Sequence, residues 1–557
     1  MKCLMMILNK KGFDFLKKTL SFLLSILMLI ATSVPFSSYA ANEQQTSGSC
    51  GDNATFELKD GVLTITGTGE ITSHPWCNLF ETTNINKVII NEGVTVIGEN
   101  SFKNCTKIKE AILPESLTGI KKLAFYNCNC LETANLPMNL KYIGQNAFKD
   151  CKALKKIELP EKLERIYGGA FSGCSSAKGA LFLRKKLYIE LYAFSYCRGL
   201  EEIYFEDGFT IDNFTSSRPL TIFNYCEGVK RLYIPPSMTR IEGALFNNFT
   251  SLTDITISEG VEDIGGFNNC TSLEKITLPK SIKNINNYAF YGCKELKSVK
   301  IQSKIESLGR EAFYNCTSLK SIKFPYGVDS VGKRAFGYYE TVDQVTQTAE
   351  GGTKEIKSEH KIKNFKVYGK KCKALTDYCK ENGFTFIDMY DVKNATVTMK
   401  SQTYNGSAKK PSVTVKLAGT TLKKDTDYTV KYSNNTKVGT AKVTITGKGT
   451  YKGTLEKTFK INPKPTEITK LTPGSKSFKA YWKKKTTQTT GYQIQYSTYK
   501  DLKNAKTVTI SSNKTGARTI KSLKANKKYY VRIRTYKTVN KKKYYSKWSE
   551  TLAVKTK

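Results

Sequence analysis

Hydrophobic positions in this chain recur with a long period rather than the short one of a helix or strand. A phenylalanine stands at Phe102, Phe125, Phe148, Phe171, Phe194, Phe223, Phe246, Phe267, Phe290, Phe313 and Phe336. The step is 23 residues, except for one of 29 before Phe223 and one of 21 before Phe267. Three residues after nine of these eleven stands a cysteine: Cys105, Cys128, Cys151, Cys174, Cys197, Cys226, Cys270, Cys293 and Cys316. Phe249 and Tyr339 fill that slot in the other two. A short alternating run follows each, such as Leu154, Ile157, Leu159 and Pro160, or Leu273, Ile276, Leu278 and Pro279.

Alternation over so few residues predicts a short strand with one face buried, and the proline ends it. One such unit cannot bury its apolar face alone, whereas stacked copies can. The pattern therefore predicts a solenoid with a strand ladder on one side and a Phe/Cys spine inside. The 29-residue step inserts residues around 207–220, and the 21-residue step is a deletion. Both predict local departures from regular stacking.

Beyond the last copy, 340–360 is polar with almost no large apolar residue and reads as an exposed loop. Residues 361–390 read as strand, helix and strand, with Gly383 where a helix would end. From 392 to 462 strand-like runs alternate with Gly and Asn turns and no helix, which predicts a small sandwich. From 466 to 557 the runs around Trp482, Tyr492–Tyr496 and Tyr529–Ile533 predict a second one. The fold class is thus mostly β: a solenoid of about 11 repeats followed by two small β-sandwich domains. The boundaries read 41–100 lead-in, 101–337 repeats, 338–390 polar loop and cap, 391–462 first sandwich, and 466–557 second.

Residues 1–40 carry Lys10, Lys11, Lys17 and Lys18, then the apolar run Leu20 to Ile30, then Ser38-Tyr39-Ala40. This is the layout of a secretory signal peptide cut after Ala40. The run is too short for ~30 Å of hydrocarbon. The expectation is an exported, extracellular chain, with no membrane span after processing.

The pattern Leu-x-x-Ile-x-Leu-Pro…Leu-x-x-Ile-Gly-x-x-Ala-Phe-x-x-Cys resembles the BspA-like leucine-rich repeats of bacterial surface proteins. Cys50-Gly51-Asp52-Asn53, Leu63–Gly69 and Pro75-Trp76 are similar to the family's lead-in. The resemblance covers about 47–390. It implies a solenoid, export and often adhesion to host or neighbouring-cell components, and no shared catalytic residue. Asp427-Tyr428, Asn434-Asn435, Gly439 and Gly447–Tyr451 resemble bacterial immunoglobulin-like modules. Residues 466–557 resemble a fibronectin type III domain, which makes Trp482 a core residue and Tyr529 the corner tyrosine.

Charge divides the chain. The whole carries 88 Lys and Arg against 48 Asp and Glu, a net of +40. Residues 391–557 hold 39 basic and 7 acidic side chains, while 41–390 hold 44 and 40. A nearly neutral body carries a basic tail, whose densest clusters are Lys483, Lys484 and Lys485; Lys527 and Lys528; Arg532 and Arg534; and Lys541, Lys542 and Lys543. Such a field attracts anionic wall polymers without specific contacts, and nucleic acid is a secondary partner for an exported chain.

Chemistry beyond binding is poorly supplied. A zinc site needs about four Cys or His at close spacing, and Cys128-x-Cys130 does not provide it. The spine cysteines are expected to be free, buried thiols, while Cys50 and Cys77 leave a bridge open. A nucleophile needs a base, and the two histidines, His74 and His360, stand in no recognisable motif. No catalytic, cofactor or metal residue is assigned. The open strand face carries a column ten residues after each spine Phe. In its middle Leu181, Tyr204 and Tyr233 fall together beside Lys230 and Arg231. Exposed aromatics in a row mark a ligand surface for proteins or glycans.

Overall fold

The computed structural model describes residues 46–78, 84–210, 212, 221–347 and 353–557. Residues 1–40, read from sequence as a signal peptide, most of the 207–220 insertion and the side chain of Cys77 lie outside the described residues. The repeats form a β-solenoid of about 13 turns. Two compact units divide the chain, the first being residues 1–178 with 188–194 and the second 179–187 with 195–557.

In the first unit an antiparallel hairpin, Asn53–Lys59 and Val62–Ile71, starts the solenoid. Parallel ladders grow from its second strand, one through Lys87–Ile90 and Glu110–Ile112, the other through Val94–Ile97, Gly119–Ile120 and Tyr142–Ile143. Apolar residues in register, such as Ile120 beside Ile143, place the same side chain inside on every coil. The coils approach so closely that a β-carbon at Gly144 would stand 2.5 Å from the Lys121 carbonyl carbon, which accounts for the Ile-Gly pair.

The spine phenylalanines are buried and stack ring on ring. Centroids lie 4.8 Å apart for Phe102–Phe125, 5.1 Å for Phe125–Phe148, 5.3 Å for Phe148–Phe171 and 5.5 Å for Phe171–Phe194. Trp76, 5.6 Å from Phe102, starts the stack in place of a phenylalanine. In the second unit Phe223, Phe246, Phe267, Phe290 and Phe313 stack likewise. At the 21-residue step the Phe246 and Phe267 rings tilt by 29°, against 6° for the regular step that follows. Phe365, from the cap, stacks on Phe336 at 5.7 Å. The turns beyond the eleven Phe copies thus come from lead-in and cap sequences that lack the consensus.

Each spine cysteine is buried and stands outside any disulfide. Cys128, Cys151, Cys174, Cys293 and Cys316 donate to phenylalanine carbonyls on a neighbouring coil at 3.0–3.2 Å, as Cys151 does to Phe125. Burial pushes the Cys128, Cys226, Cys270 and Cys316 thiols well above their ordinary pKa of 9.0, and that of Cys50 up to about 11. Cys50 is a free thiol.

The raised pKa values set a sign for alkaline stability. Below pH 9 the thiols are protonated in both states. Above it the unfolded chain loses these protons and the folded chain keeps them, so stability falls as pH rises. The urea midpoint should drop between pH 7 and about pH 10; equal midpoints would contradict the buried thiols. Thiol labelling should mark the exposed Cys130 in the native protein and the spine cysteines only after denaturation.

Residues 340–360, expected as an exposed loop, are exposed but paired. Tyr338–Gln347 and Thr353–Lys361 form an antiparallel hairpin with a bulge between Val342 and Gln344. Alternating Thr, Val and Ile residues favour the strand without any core to bury. Carboxylates hold its base: Glu340 accepts from Tyr291 OH at 3.1 Å, and Glu359 pairs with Arg334 at 2.7 Å. The helix Lys373–Asn382 follows, closed by Gly383 at φ 69°.

Residues 396–462 form two small sheets around Val415, Tyr428, Val443 and Ile445. Residues 466–557 form a three-stranded and a five-stranded sheet over Phe478, Trp482, Tyr492, Ile494, Tyr529, Val531 and Ile533. The Tyr529 hydroxyl accepts from the Lys524 N–H at 3.1 Å, the tie expected of a corner tyrosine.

Candidate functional site: the open strand face

Four parallel strands of the second unit make this face: Gly179–Leu183, Leu200–Phe205, Arg231–Ile234 and Asp254–Ile257. Their apolar alternation buries Ile203, Phe205, Leu232 and Ile234 and turns the intervening residues outward.

Leu181, expected on the open face, is fully buried, and Phe182 stands out instead, 60% exposed. The cause is a register shift between Gly179 and Ala180, after which Leu181 pairs with Ile203 and Phe182 with Tyr204. The bulge breaks the fixed 23-residue step, and a one-residue slip exchanges the two faces of a strand. The signal was present in Leu181 and Leu183, whose alternation matches Ile203 and Phe205 better than the repeat step does.

Tyr204 and Tyr233 lie where expected, in register on adjacent strands and half-buried. The rings of Phe182 and Tyr204 stack at 5.2 Å with 12° between planes. Behind this aromatic row runs a charged one, Glu202, Arg231 and Asp254 in register. Arg231 pairs with Glu202, which also accepts from Tyr204 OH at 2.7 Å. The Tyr233 hydroxyl accepts from Ser258 Oγ at 3.4 Å. Lys230 faces Glu201 at 3.5 Å. The two tyrosine rings are thereby held at their hydroxyl ends.

The basic clusters are dispersed. Lys528 begins the strand Lys528–Val539 and Lys541–Lys543 follow its far end. At ~3.3 Å per residue those two clusters stand about 40 Å apart along the strand. Lys483, Lys484, Lys527, Lys528 and Lys541–Lys543 are exposed, and Lys485 is half-buried. Arg532 and Arg534 differ from the lysines. Trp548 takes their guanidinium carbons at 4.8 and 4.2 Å, while Gln495 and Gln493 accept their Nε–H groups at 2.7 and 2.9 Å. Burial lowers the pKa of both below the ordinary arginine value. They brace a sheet face, so the free cations are the lysines.

Body charges, by contrast, pair across coils, as Lys297 does with Glu274 at 2.7 Å and Lys283 with Glu262 at 2.9 Å. Residues 466–557 hold 24 basic side chains and 3 acidic ones, and no ion pair forms inside this stretch among the described residues. His360 sits on the polar hairpin with Nε2 2.8 Å from Thr341 Oγ1. Among the described residues no helix is long and apolar enough to cross a membrane.

Residues 77–201, 183–267 and 216–343 match the BspA type leucine rich repeat region in six copies, and 463–554 match the fibronectin type III domain. Among solved structures, a leucine-rich repeat protein from Eubacterium ventriosum is 20% identical over 50% of this chain and 78% of its own, with a TM-score of 0.33. The pneumococcal vaccine antigen PcpA is 20% identical over 60% of this chain and 97% of its own, with a TM-score of 0.34. A leucine rich cell surface protein from Faecalibacterium prausnitzii is 22% identical over 52% and 96%, with a TM-score of 0.27. No curated protein sequence matches the chain. The chain is a BspA-like leucine-rich-repeat protein that carries a fibronectin type III module.

Proposed function

We propose that this is a secreted or cell-surface binding protein that adheres to host or neighbouring-cell proteins or glycans through the open strand face. The observation that carries the reading is the row Phe182, Tyr204 and Tyr233 beside Arg231. Tyrosine and arginine dominate the binding energy of protein interfaces, because they offer large rigid contact area with a polar tip. That composition favours a protein ligand on this face. Both module families typically serve binding or structural roles, in keeping with a non-enzymatic protein.

The test is adhesion of the full chain to an array of matrix and surface proteins. Tyr204→Ala with Tyr233→Ala should weaken capture about tenfold or more, as removal of two interface anchors does. Capture by every identified partner unaltered by the double substitution would remove this face from the function.

A second reading has its own support. Residues 466–557, rich in lysine and without internal ion pairs, suit a wall-associated structural protein held to anionic polymers, whose solenoid has no dedicated ligand.

A further inference from the structure

A different set of aromatics in the second unit lies outside the open strand face. Two residues after each spine phenylalanine from Phe102 to Phe313 the backbone turns through the left-handed region. Asn104, Asn127, Asn248, Asn269 and Asn315 occupy this position with φ between 59° and 63°, Asp150 with φ 61°, and Gly173 and Gly292 with φ 82° and 73°. These are the residue types that tolerate such a backbone. Where two asparagines follow one another their amides ladder, as Asn127 Nδ2 does to Asn104 Oδ1 at 3.0 Å and Asn269 Nδ2 to Asn248 Oδ1 at 3.1 Å.

Two successive coils break the rule. Tyr196 and Tyr225 hold the same position at φ 62° and 60°. A bulky side chain is strained there, and the Asn248 amide donates to Asn224 Oδ1 at 3.2 Å instead of to this position. Neither ring enters the core, for Tyr196 is 43% and Tyr225 37% exposed. Their rings stack on each other at 5.0 Å with 13° between planes. Arg198 places its guanidinium carbon 5.8 Å from the Tyr196 ring and pairs with Glu227 at 3.6 Å. Two adjacent coils thus carry an exposed aromatic pair, with a donor and an acceptor beside it, at a position where other coils carry Asn, Asp or Gly.

We infer that the Tyr196–Tyr225 stack, with Arg198 and Glu227, is a carbohydrate-binding platform for a neutral oligosaccharide. A pyranose has an apolar C–H face and a rim of hydroxyls. The first suits an exposed tyrosine ring. The second suits a guanidinium that donates and a carboxylate that accepts. The charges of Arg198 and Glu227 cancel, which favours a neutral sugar over a uronate or a sulfated one. The site uses none of the residues of the proposed protein-binding face.

The experiment presents the full chain to an array of neutral gluco-, manno- and galacto-configured oligosaccharides and titrates the best binder by tyrosine fluorescence. Tyr196→Asn with Tyr225→Asn installs the residue that neighbouring coils use. Binding should fall about tenfold or more while the melting temperature stays level or rises, since strain is relieved and the amide ladder can re-form. A structural role for the tyrosines would instead lower the melting temperature. Arg198→Ala should weaken sugar binding with the stack intact, and Tyr204→Ala with Tyr233→Ala should leave it unchanged. Absence of any neutral sugar ligand overturns the inference, as does binding that survives the asparagine pair, capture of a proline-rich peptide in place of sugar, or loss of sugar binding only in the Tyr204/Tyr233 variant.

Discussion

Phe148→Ala is expected to destabilise the protein by about 3–5 kcal/mol, the usual cost of deleting a buried aromatic ring whose cavity cannot collapse. Phe148 is fully buried between Phe125 and Phe171, at 5.1 and 5.3 Å. Its N–H donates to the Ala170 carbonyl at 2.7 Å and its own carbonyl accepts from Cys174 Sγ at 3.2 Å. Coils on both sides therefore resist filling the hole. Each coil in a solenoid is stabilised chiefly by its neighbours, so the loss is felt as a weak joint in the first unit. Urea unfolding should show an early transition for that unit, absent from Phe148→Leu, which keeps most of the volume. As a control, Ile112→Ala removes a side chain that is already 40% exposed and should cost well under about 1 kcal/mol. A midpoint for Phe148→Ala equal to that of the parent would mean that the rings do not form the core.

Salt should have an equally large effect on retention by an anionic polymer. If about six lysines of 466–557 each neutralise one phosphate-like charge, a slope near −0.7 to −0.9 per contact predicts an affinity loss of ~10⁴–10⁵-fold between 0.05 and 0.5 M salt. The effect follows from counterion release and a shrinking screening length. Neutralising Lys541, Lys542 and Lys543 to Ser should lower the slope by about three contacts' worth. Arg532→Ala should change the slope little, because that guanidinium is already engaged by Trp548 and Gln495. Retention on immobilised polyphosphate, eluted with a salt gradient, checks both. Retention indifferent to salt would remove the electrostatic reading and leave the lysines as a solvated surface.

Much of the fold was legible in sequence. The 23-residue recurrence of Phe and Cys specified a stacked architecture, because only neighbouring copies can bury those side chains. The exposed hairpin of Tyr338–Gln347 and Thr353–Lys361 was not legible as strand, since it buries little beyond Tyr338 and offers no hydrophobic alternation beyond Val342, Val345 and Ile356. Trp76 and Phe365 escaped the pattern because each extends the stack from a coil that lacks the consensus. The open strand face was half legible. Tyr204 and Tyr233 follow the repeat phase, whereas Leu181 and Phe182 exchange places at a bulge that the fixed step does not encode.

The stack of coils, the Phe/Cys interior and the division between a neutral body and a cationic tail were settled by residue types at fixed spacing, because burial and charge depend on what repeats and how often. Tertiary structure alone decided which rings face water, which arginines are already occupied and where tyrosine replaces asparagine in a strained turn. Those outcomes depend on strand register and on neighbours distant in sequence. A one-residue shift between adjacent coils reverses them without altering the repeat.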